Sequence, residues 1–225
     1  MRKTYDAAAG RASGARSPVT SSISFPVMLR LHRLPTAASL LLAACTAPAP
    51  KHGIALEPPL PRPSFTLTDT RGRAYDFARE THGRLTFLFF GYTSCPDVCP
   101  VHAANIAAVL HKLPFEDQLK ATLVFVTVDP ARDSLPALRA WLDHFDKTFV
   151  GLRGDESAVD SVMGKLGLPA AIRAAPAKPN GWYEVGHAAV VIVFTADDVA
   201  HVMYPFGTRQ VDWAEDIPRL LKVGR

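Results

Sequence analysis

The sequence predicts a three-layer α/β domain built on a central mixed sheet. Continuous apolar runs, typical of buried strands, alternate along the chain with segments of helical periodicity. The series ends in a β-hairpin followed by a last helix. The chain has 225 residues, 48% of them hydrophobic, which is enough for one core of ordinary size. We therefore expect one globular domain.

A leader precedes this domain. Residues 1–44 hold six Lys and Arg residues against one acidic residue. From Met28, which we take as the true start, Arg30 and Arg33 precede an apolar stretch of about ten residues. A membrane-spanning helix needs roughly 20 apolar residues, so the stretch is too short to cross a membrane. Residues 1–44 are therefore predicted to be an export signal.

The predicted signal ends in a cysteine. The letters LAAC, Leu42 to Cys45, resemble the lipobox of bacterial lipoproteins, in which the cysteine carries the lipid. We expect an exported protein that is lipid-anchored at Cys45 on the periplasmic face of a bacterial membrane. The alternative is an ordinary signal peptide with a cysteine at this place by chance.

A proline-rich segment, residues 45–64, follows the leader. Its prolines are incompatible with a helix or a central strand and favour extended polyproline II, which would reach up to roughly 60 Å. We predict a tether that holds a soluble domain, residues 65–225, away from the membrane surface.

Charge and motifs exclude several functions. The formal charge of +4 belongs to the leader, because 19 of the 25 basic and 20 of the 21 acidic residues lie beyond it. The domain therefore offers no basic surface for nucleic acid, and no nucleic acid partner is expected. The chain contains neither G-x-x-x-x-G-K-[ST] nor G-x-G-x-x-G, and no G-x-S-x-G. Nucleotide chemistry and serine hydrolysis are excluded on these grounds.

The first half of the domain begins with short strands. The segments SFTLTDT and RGRAYDF alternate apolar and polar residues around a turn at Arg71 and Gly72, which predicts an N-terminal β-hairpin. Next, LTFLFFG, from Leu85 to Gly91, is continuously apolar and predicts a strand covered on both faces. The alanine-rich segment VCPVHAANIAAVLHKL has helical spacing and predicts the helix that follows.

The second half continues the alternation. The run ATLVFVTVD predicts a second buried strand, and SLPALRAWLDHF a helix capped by Ser134 with Pro136 in its first turn. TFVGLRG predicts a third strand, and DESAVDSVMGKLG a helix capped by Asp155 that ends near Gly167. AAVVIVFTAD and VAHVMYPFG predict a hairpin before a last helix at about 211–222.

Two of the three cysteines lie in the segment GYTSCPDVCP. Cys95 is predicted in a strand-to-helix turn and Cys99 at the start of the helix, so both sulfurs lie on one side, close enough to bridge or to share a metal. A helix N-terminus favours the thiolate form of a cysteine. Three interpretations stay open here: a structural disulfide, a redox-active dithiol and a soft-metal site.

A metal site would need a third ligand, and histidine is the natural candidate. A single histidine is more often a surface or core residue than a ligand. His187 stands out because it directly precedes an apolar strand, where functional side chains are commonly presented. His102, three residues past Cys99, is expected to point along the helix away from the turn. The candidates are His102, His111, His144, His187 and His201.

Three segments together resemble the signature regions of the Sco/SenC family. They are GYTSCPDVCP with its preceding apolar strand, VTVDPARDSLPALRAWLDHF, and YEVGHAAVVIVF. The resemblance extends from about Phe65 to Leu221 in the family's order, and the combination is far more specific than any single segment. It implies a thioredoxin-like fold and a membrane-anchored copper-binding protein.

The resemblance also implies a ligand set. The family's C-x-x-x-C-P motif matches Cys95 and Cys99, and its distant histidine matches His187, so these side chains are expected to bind one copper, as Cu(I) or Cu(II). The acids of the V-D-P-x-R-D segment match Asp129 and Asp133, which are expected to support the site rather than to bind the metal. Two thiolates and an imidazole suit Cu(I), whereas a structural zinc site usually has four protein ligands.

The family's function gives expected partners. Its members help to metallate the copper centre of cytochrome c oxidase, so the copper-site subunit of a respiratory oxidase is the expected recipient. A copper donor and a thiol reductant are implied as well, because disulfide sulfurs bind copper poorly.

The alternative function is that of a thiol–disulfide oxidoreductase with the same fold. Such a protein would use Cys95 and Cys99 to reduce partner cysteines, including those of the oxidase copper site. The spacing C-x-x-x-C differs from the C-x-x-C of thioredoxins by one residue, which alters the geometry of the pair.

Two positions depart from the family pattern. Gly186 stands where an acidic residue often precedes the histidine, and Asp197-Asp198 replaces the glycine usual in the last hairpin turn. Aspartate tolerates such turns, so we expect the hairpin to form.

Overall fold

The computed structural model describes residues 50–174 and 182–224. The predictions for the leader, for a start at Met28 and for lipidation at Cys45 concern residues outside this part of the chain. The described strands are β1 (Ile54–Pro61), β2 (Thr66–Asp69), β3 (Ala74–Asp76), β4 (Leu85–Gly91), β5 (Ala121–Thr127), β6 (Val150–Arg153), β7 (Ile172–Arg173), β8 (Val185–Gly186), β9 (Val190–Phe194) and β10 (Val199–Pro205). The described helices are α1 (Phe77–Thr81), α2 (Val98–Leu110), α3 (Phe115–Gln118), α4 (Leu135–Asp143), α5 (Glu156–Lys165) and α6 (Gln210–Leu220).

Eight strands form one mixed sheet in the order β1-β10-β9-β4-β5-β6-β2-β3. Strands β4, β5 and β6 are parallel, whereas β9 pairs antiparallel with β4. Every residue of β4 and β5 is buried, as their continuous apolar sequences predict for strands covered on both faces. The predicted α/β class with a central mixed sheet is confirmed, and the N-terminal hairpin β2–β3 forms one edge of the sheet.

The helix caps lie where the sequence places them. The Ser134 hydroxyl accepts a hydrogen bond from the Ala137 amide at the start of α4, and the Asp155 carboxylate accepts one from Ala158 at the start of α5. Gly167 follows α5 with a φ of 69°, a conformation that glycine adopts without steric cost. These local signals therefore determine where the two helices begin and where α5 ends.

Aromatic packing joins the last helix to the sheet. The ring of Trp213, in α6, lies 4.1 Å from that of Tyr204 in β10 and 5.8 Å from that of Phe87 in β4. All three side chains are fully buried. The Trp213 ring also contacts the His102 imidazole of α2 at a centroid distance of 6.3 Å. Helices α2 and α6 therefore pack together on one side of the central strands.

The proline-rich segment differs from its prediction as a free tether. Residues 54–61 form β1, which pairs antiparallel with β10 at the sheet edge. Proline is tolerated there because the outer side of an edge strand needs no donor, and the register shifts between Ala55 and Leu60, around the prolines. The domain boundary predicted at residue 65 is therefore too late.

Several short elements escape the sequence patterns. Helices α1 and α3 have five and four residues, which is too short for apolar periodicity to reveal them. Strands β7 and β8 form a separate two-stranded ribbon. None of the helices in the described residues is long and apolar enough to span a membrane.

A buried arginine links β1 to the rest of the domain. The side chain of Arg62 is 3% exposed and donates to the Asp198 carboxylate at 2.8 Å and to the Thr81 hydroxyl at 2.7 Å. It also donates to the carbonyl oxygens of Arg84 and Thr195, both at 3.0 Å. Residue 62 is thus part of the folded domain.

The same contact explains the aspartate in the last hairpin turn. Asp198 has a φ of 61°, the left-handed conformation for which glycine is the usual choice. Its carboxylate accepts hydrogen bonds from Arg62 and from the Gly83 amide. The side chain thereby gains contacts that a glycine would not offer.

Replacement of Arg62 by alanine should reduce the free energy of unfolding by about 3–5 kcal/mol, because it removes the cation paired with Asp198 and the donor to several buried oxygens. Urea unfolding followed by circular dichroism would measure this loss. The control is Arg79→Ala, since the Arg79 side chain is 71% exposed and pairs with the adjacent Glu80. That change should stay within about 0.5 kcal/mol of the wild type, and equal losses in both variants would contradict the role assigned to Arg62.

Candidate metal site

The two cysteines lie between the end of β4 and the first turn of α2. Cys95 occupies the connecting turn, where its amide donates to the Tyr92 carbonyl. Cys99 is fully buried in the helix, and its amide lies 3.5 Å from the Cys95 sulfur. A Cβ atom at Gly91 would lie 2.6 Å from the Cys99 sulfur and 2.9 Å from the Phe125 ring. Glycine at the end of β4 is therefore required for this close approach.

His187 completes the group from the other end of the sequence. Its Nε2 atom lies 3.7 Å from the Cys99 sulfur, and the ligand atoms of the three side chains are all within 4.8 Å of one another. The Nδ1 atom lies 3.2 Å from the Ala188 carbonyl oxygen. A proton on Nδ1 can be donated to that carbonyl, which leaves the Nε2 lone pair facing the sulfurs.

Aromatic rings hold the imidazole in place. The rings of Phe89 and Tyr92 meet the His187 ring edge to face at centroid distances of 6.2 and 5.7 Å. Within residues 50–174 and 182–224, Cys95, Cys99 and His187 are the one group of three His, Cys, Asp or Glu ligands close enough to share a metal ion. The structure thus brings together the three residues selected from the sequence.

The two thiols differ in protonation. The hydrogen bond from the Cys99 thiol lowers the pKa of Cys95 to about 3, and His187 acts in the same direction. Burial raises the pKa of Cys99, and the neighbouring Cys95 adds to this effect. At neutral pH the metal-free pair is therefore one thiolate and one thiol. A metal that binds both sulfurs must displace the Cys99 proton.

Asp133 supports the cysteine loop. Its carboxylate is fully buried and accepts hydrogen bonds from the Thr93 amide at 3.0 Å, the Thr93 hydroxyl at 2.5 Å and the Thr127 hydroxyl at 2.6 Å. Thr127 ends β5, and Thr93 lies two residues before Cys95. The carboxylate therefore fixes the loop to the adjacent strand.

Asp129 supports the segment that carries the histidine. It is buried and accepts hydrogen bonds from the Tyr183 hydroxyl at 2.8 Å and from Arg132. The guanidinium of Arg132 lies 3.7 Å from the centre of the Tyr183 ring and donates to the Tyr183 carbonyl. Tyr183 precedes His187 by four residues, so these contacts restrict where the imidazole can lie.

Sequence reasoning selected both acids but missed Arg132 and Tyr183. Both residues fall inside the motif segments VTVDPARD and YEVGH. Their position inside these segments was the signal that the sequence offered for a role at the site. A cation stacked on an aromatic ring leaves no periodic pattern in sequence, so the contact itself could not be predicted.

The other candidate histidines are not part of this ligand group. His102 is buried against the rings of Phe89 and Trp213, and burial lowers its pKa to about 4. The remaining candidates contact other partners, His111 with Asp146, His144 with the Trp141 carbonyl, and His201 with Asp197.

A shallow cleft is lined by two of the ligands, Cys95 and His187, and the buried Cys99 lies behind them. The cleft carries two exposed acidic side chains, Asp97 and Glu184. Glu184, two residues before Gly186, supplies a carboxylate to the cleft. The cleft is lined by Tyr92, Cys95, Pro96, Asp97, Val98, Glu184, Val185, Gly186, His187 and Ala189.

The fold and this side-chain group define a thioredoxin-like domain with a Cys-Cys-His site at the start of a helix. The SCO1/SenC family model matches residues 56–222. The chain therefore belongs to the SCO1/SenC family.

Relatives of known sequence agree with this membership. The chain is 35% identical to a protein of Stutzerimonas stutzeri named for copper binding, over 56% of this chain and 59% of that protein. It is 32% identical to the mitochondrial protein SCO2 of Saccharomyces cerevisiae, over 55% of this chain and 40% of that one. The matched region thus spans about half the length of these curated relatives.

Solved structures share the fold. Apo Sco1 from Thermus thermophilus is 28% identical and superposes with a TM-score of 0.66, covering 75% of this chain and 96% of that one. ScoI from Bradyrhizobium japonicum with copper bound is 29% identical, with a TM-score of 0.61 and coverage of 72% and 99%.

Alkylation of the reduced, metal-free protein should distinguish the two thiols. Because the pKa of Cys95 is about 3, its reaction rate with iodoacetamide should change less than about twofold between pH 5.5 and 7.5. Cys99 should react far more slowly, since it is buried and protonated. Peptide mass spectrometry would report both rates.

The urea-unfolded protein is the reference for this measurement. Ordinary thiols titrate near pH 8.5, so both rates should then rise about tenfold per pH unit. A similar rise for Cys95 in the folded protein would contradict the low pKa assigned to it.

Proposed function

We propose that this protein is a copper metallochaperone. It binds one copper ion through Cys95, Cys99 and His187 and delivers it to the copper-site subunit of a respiratory cytochrome c oxidase. The observation that carries the proposal is the convergence of two sulfurs and one imidazole nitrogen within 4.8 Å of one another at a cleft. A Bradyrhizobium relative of the same fold has a structure with copper bound, which supports the choice of metal.

The donor set suits copper as a cargo. Two thiolates and one imidazole match the softness and low coordination number of Cu(I), and a water or weak fourth donor would accommodate Cu(II). A structural zinc site usually has four protein ligands, whereas the described residues bring three together here. Three ligands beside a cleft also leave room for an incoming ligand from a partner, as release requires.

Loading and release follow from the thiol chemistry. The Cys95 thiolate offers the first sulfur, and the Cys99 proton leaves as the second sulfur binds. On delivery, thiolates of the recipient replace these sulfurs stepwise, and the Cys99 proton returns. The cysteines must be reduced when copper arrives, so a thiol reductant and a copper donor belong to the cycle.

The proposed location is the periplasmic face of a bacterial membrane. Residues 1–44, with Met28 as the start, would act as the signal peptide, and Cys45 would carry the lipid. The letters LAAC, Leu42 to Cys45, support this assignment.

Thiol–disulfide exchange is the second candidate function, favoured by the low pKa of Cys95 beside a protonated Cys99. The Cys95 thiolate would attack a partner disulfide to form a mixed disulfide and release one partner thiolate, which takes up the Cys99 proton. The Cys99 thiolate would then attack Cys95, releasing the second partner sulfur and leaving a Cys95–Cys99 disulfide. The partner gains two electrons and this pair loses two.

The His187→Ala variant separates these functions. The loss of one of three ligands should weaken Cu(I) binding by the reduced protein more than about 100-fold and change the Cu(II) absorption, since even changes outside the ligand set cost 10–100-fold. Competition with a Cu(I) chelator measures the affinity. The control is His144→Ala, because His144 is exposed at the end of α4.

Three results of this experiment are informative. Tight binding of one copper that depends on His187 and not on His144 supports the chaperone. Weak copper binding, or binding unaffected by His187→Ala, would remove that function. The reduction potential of the Cys95–Cys99 pair would then test the reductase.

Asp133→Asn should lower the copper affinity about 10–100-fold while both thiols stay titratable. An amide places an NH₂ group where the carboxylate now accepts from Thr93 and Thr127, so the cysteine loop loses its attachment to β5. Asp143→Asn is the matched control, because Asp143 is exposed and bonds to Arg139. Equal affinities in the two variants would show that Asp133 does not position the loop.

A further inference from the structure

The chain is fixed to the domain from Lys51 onward. The backbone amides of Lys51 and His52 donate to the two oxygens of the Asp216 carboxylate at 2.7 and 2.8 Å. Asp216 is fully buried and also accepts a hydrogen bond from the Tyr204 hydroxyl at 2.8 Å. A charged acceptor with three donors is a strong attachment.

Gly53 brings this segment close against β10. Its φ is 83°, and a Cβ atom there would lie 2.7 Å from the Val202 side chain and 2.9 Å from the Met203 carbonyl oxygen. Contacts under 3 Å are too close for a side chain, so the backbone approach requires glycine. The attachment at Lys51 therefore continues directly into the paired strand β1.

Little chain remains between this attachment and the proposed lipid. Five residues separate Cys45 from Lys51, and such a segment spans at most about 20 Å when fully extended. A domain of this size has a diameter of about 40 Å. With a lipid on Cys45, Lys51 therefore stays within about 20 Å of the bilayer, in the half of the domain nearer the membrane.

That half of the domain carries exposed apolar residues. We define the anchor-side patch as Ile54, Phe206 and Val211, whose residues are 47%, 47% and 58% exposed. Ile54 and Phe206 line one groove together with Asp212, which directly follows Val211 in the first turn of α6. Large apolar side chains grouped on a surface mark a contact with a membrane or with another protein, and the short tether favours the membrane.

The charges beside the patch are paired with one another. Lys51 contacts Glu215 at 3.1 Å, and Arg209 contacts Asp212 at 2.7 Å. These pairs leave little net positive charge to attract anionic headgroups. Apolar contact rather than charge would therefore hold this surface to a membrane.

We propose that the anchor-side patch lies against the membrane surface and that the metal site opens beside the bilayer. The inference rests on the proposed lipidation of Cys45. The Phe206 amide donates to the Ala189 carbonyl at 2.9 Å, and Ala189 is two residues from His187. The ligand loop and the patch are thus joined by a direct hydrogen bond, and the site is presented to a membrane-bound recipient.

Tryptophan scanning of the lipidated full-length protein tests this orientation. Phe206→Trp and Val211→Trp would be placed separately in vesicles of phosphatidylethanolamine and phosphatidylglycerol with brominated acyl chains. The control is Phe115→Trp, because Phe115 is 67% exposed beyond the far end of α2, a helix about 20 Å long. Fluorescence of the wild type gives the background from its three native tryptophans.

We expect the tryptophan fluorescence at positions 206 and 211 to be quenched at least threefold more strongly than at position 115. Replacing these vesicles by brominated vesicles of zwitterionic phosphatidylcholine should leave the quenching unchanged, because apolar contact rather than charge holds the surface. Equal quenching at all three positions would overturn the proposal. If the fluorescence of Phe206→Trp instead changes only when a soluble copper-site domain of the oxidase is added, the patch is a protein-docking surface. That result would also overturn the proposal.

Parallel measurements separate this inference from the proposed function. A protein whose copper affinity depends on His187 but whose patch shows no selective quenching is a chaperone held in another orientation. Mass spectrometry that finds no lipid on Cys45 removes the anchor and overturns the orientation, while the copper titration still decides the chaperone function. Selective quenching without copper binding supports the orientation alone.

Discussion

The close contact between the end of β4 and the first turn of α2 determines the site. Because Gly91 has no side chain, the Cys99 sulfur can occupy the space beside the Phe125 ring. This position buries Cys99 and brings its thiol to Cys95, so burial raises the pKa of one cysteine and the hydrogen bond lowers that of the other. The absence of a side chain at Gly91 therefore accounts both for the positions of Cys95 and Cys99 and for which of the two thiols is deprotonated.

Two buried carboxylates extend this control to the flanking loops. Asp133 receives three hydrogen bonds that hold the cysteine loop, and Asp129 receives the Tyr183 hydroxyl of the segment before His187. Both acids follow the end of β5, four residues apart. One short connection thus positions ligands that are 88 residues apart in sequence.

The sequence predicted those parts of the structure that depend on local patterns. The apolar runs gave β4 and β5, and Ser134 marked the start of α4, because burial and capping act on neighbouring residues. The pairing of β1 with β10 and the bonds of Arg62 to Asp198 join residues more than 130 positions apart and have no local signature. His187 stood out locally only as a strand-end residue, and its match to the distant family histidine supplied the ligand role.

The proposed orientation of the site relative to the membrane combines a lipid on Cys45 with rigid contacts inside the domain. Asp216 holds the incoming chain and lies in α6, whose Trp213 packs against His102 of α2, the helix that carries Cys99. The Trp213–His102 contact is buried between two helices, so little freedom separates Asp216 from the ligands. A lipid attached six positions before Lys51 would therefore restrict both the height and the direction of the cleft, and a membrane-bound recipient would meet it in one limited range of poses.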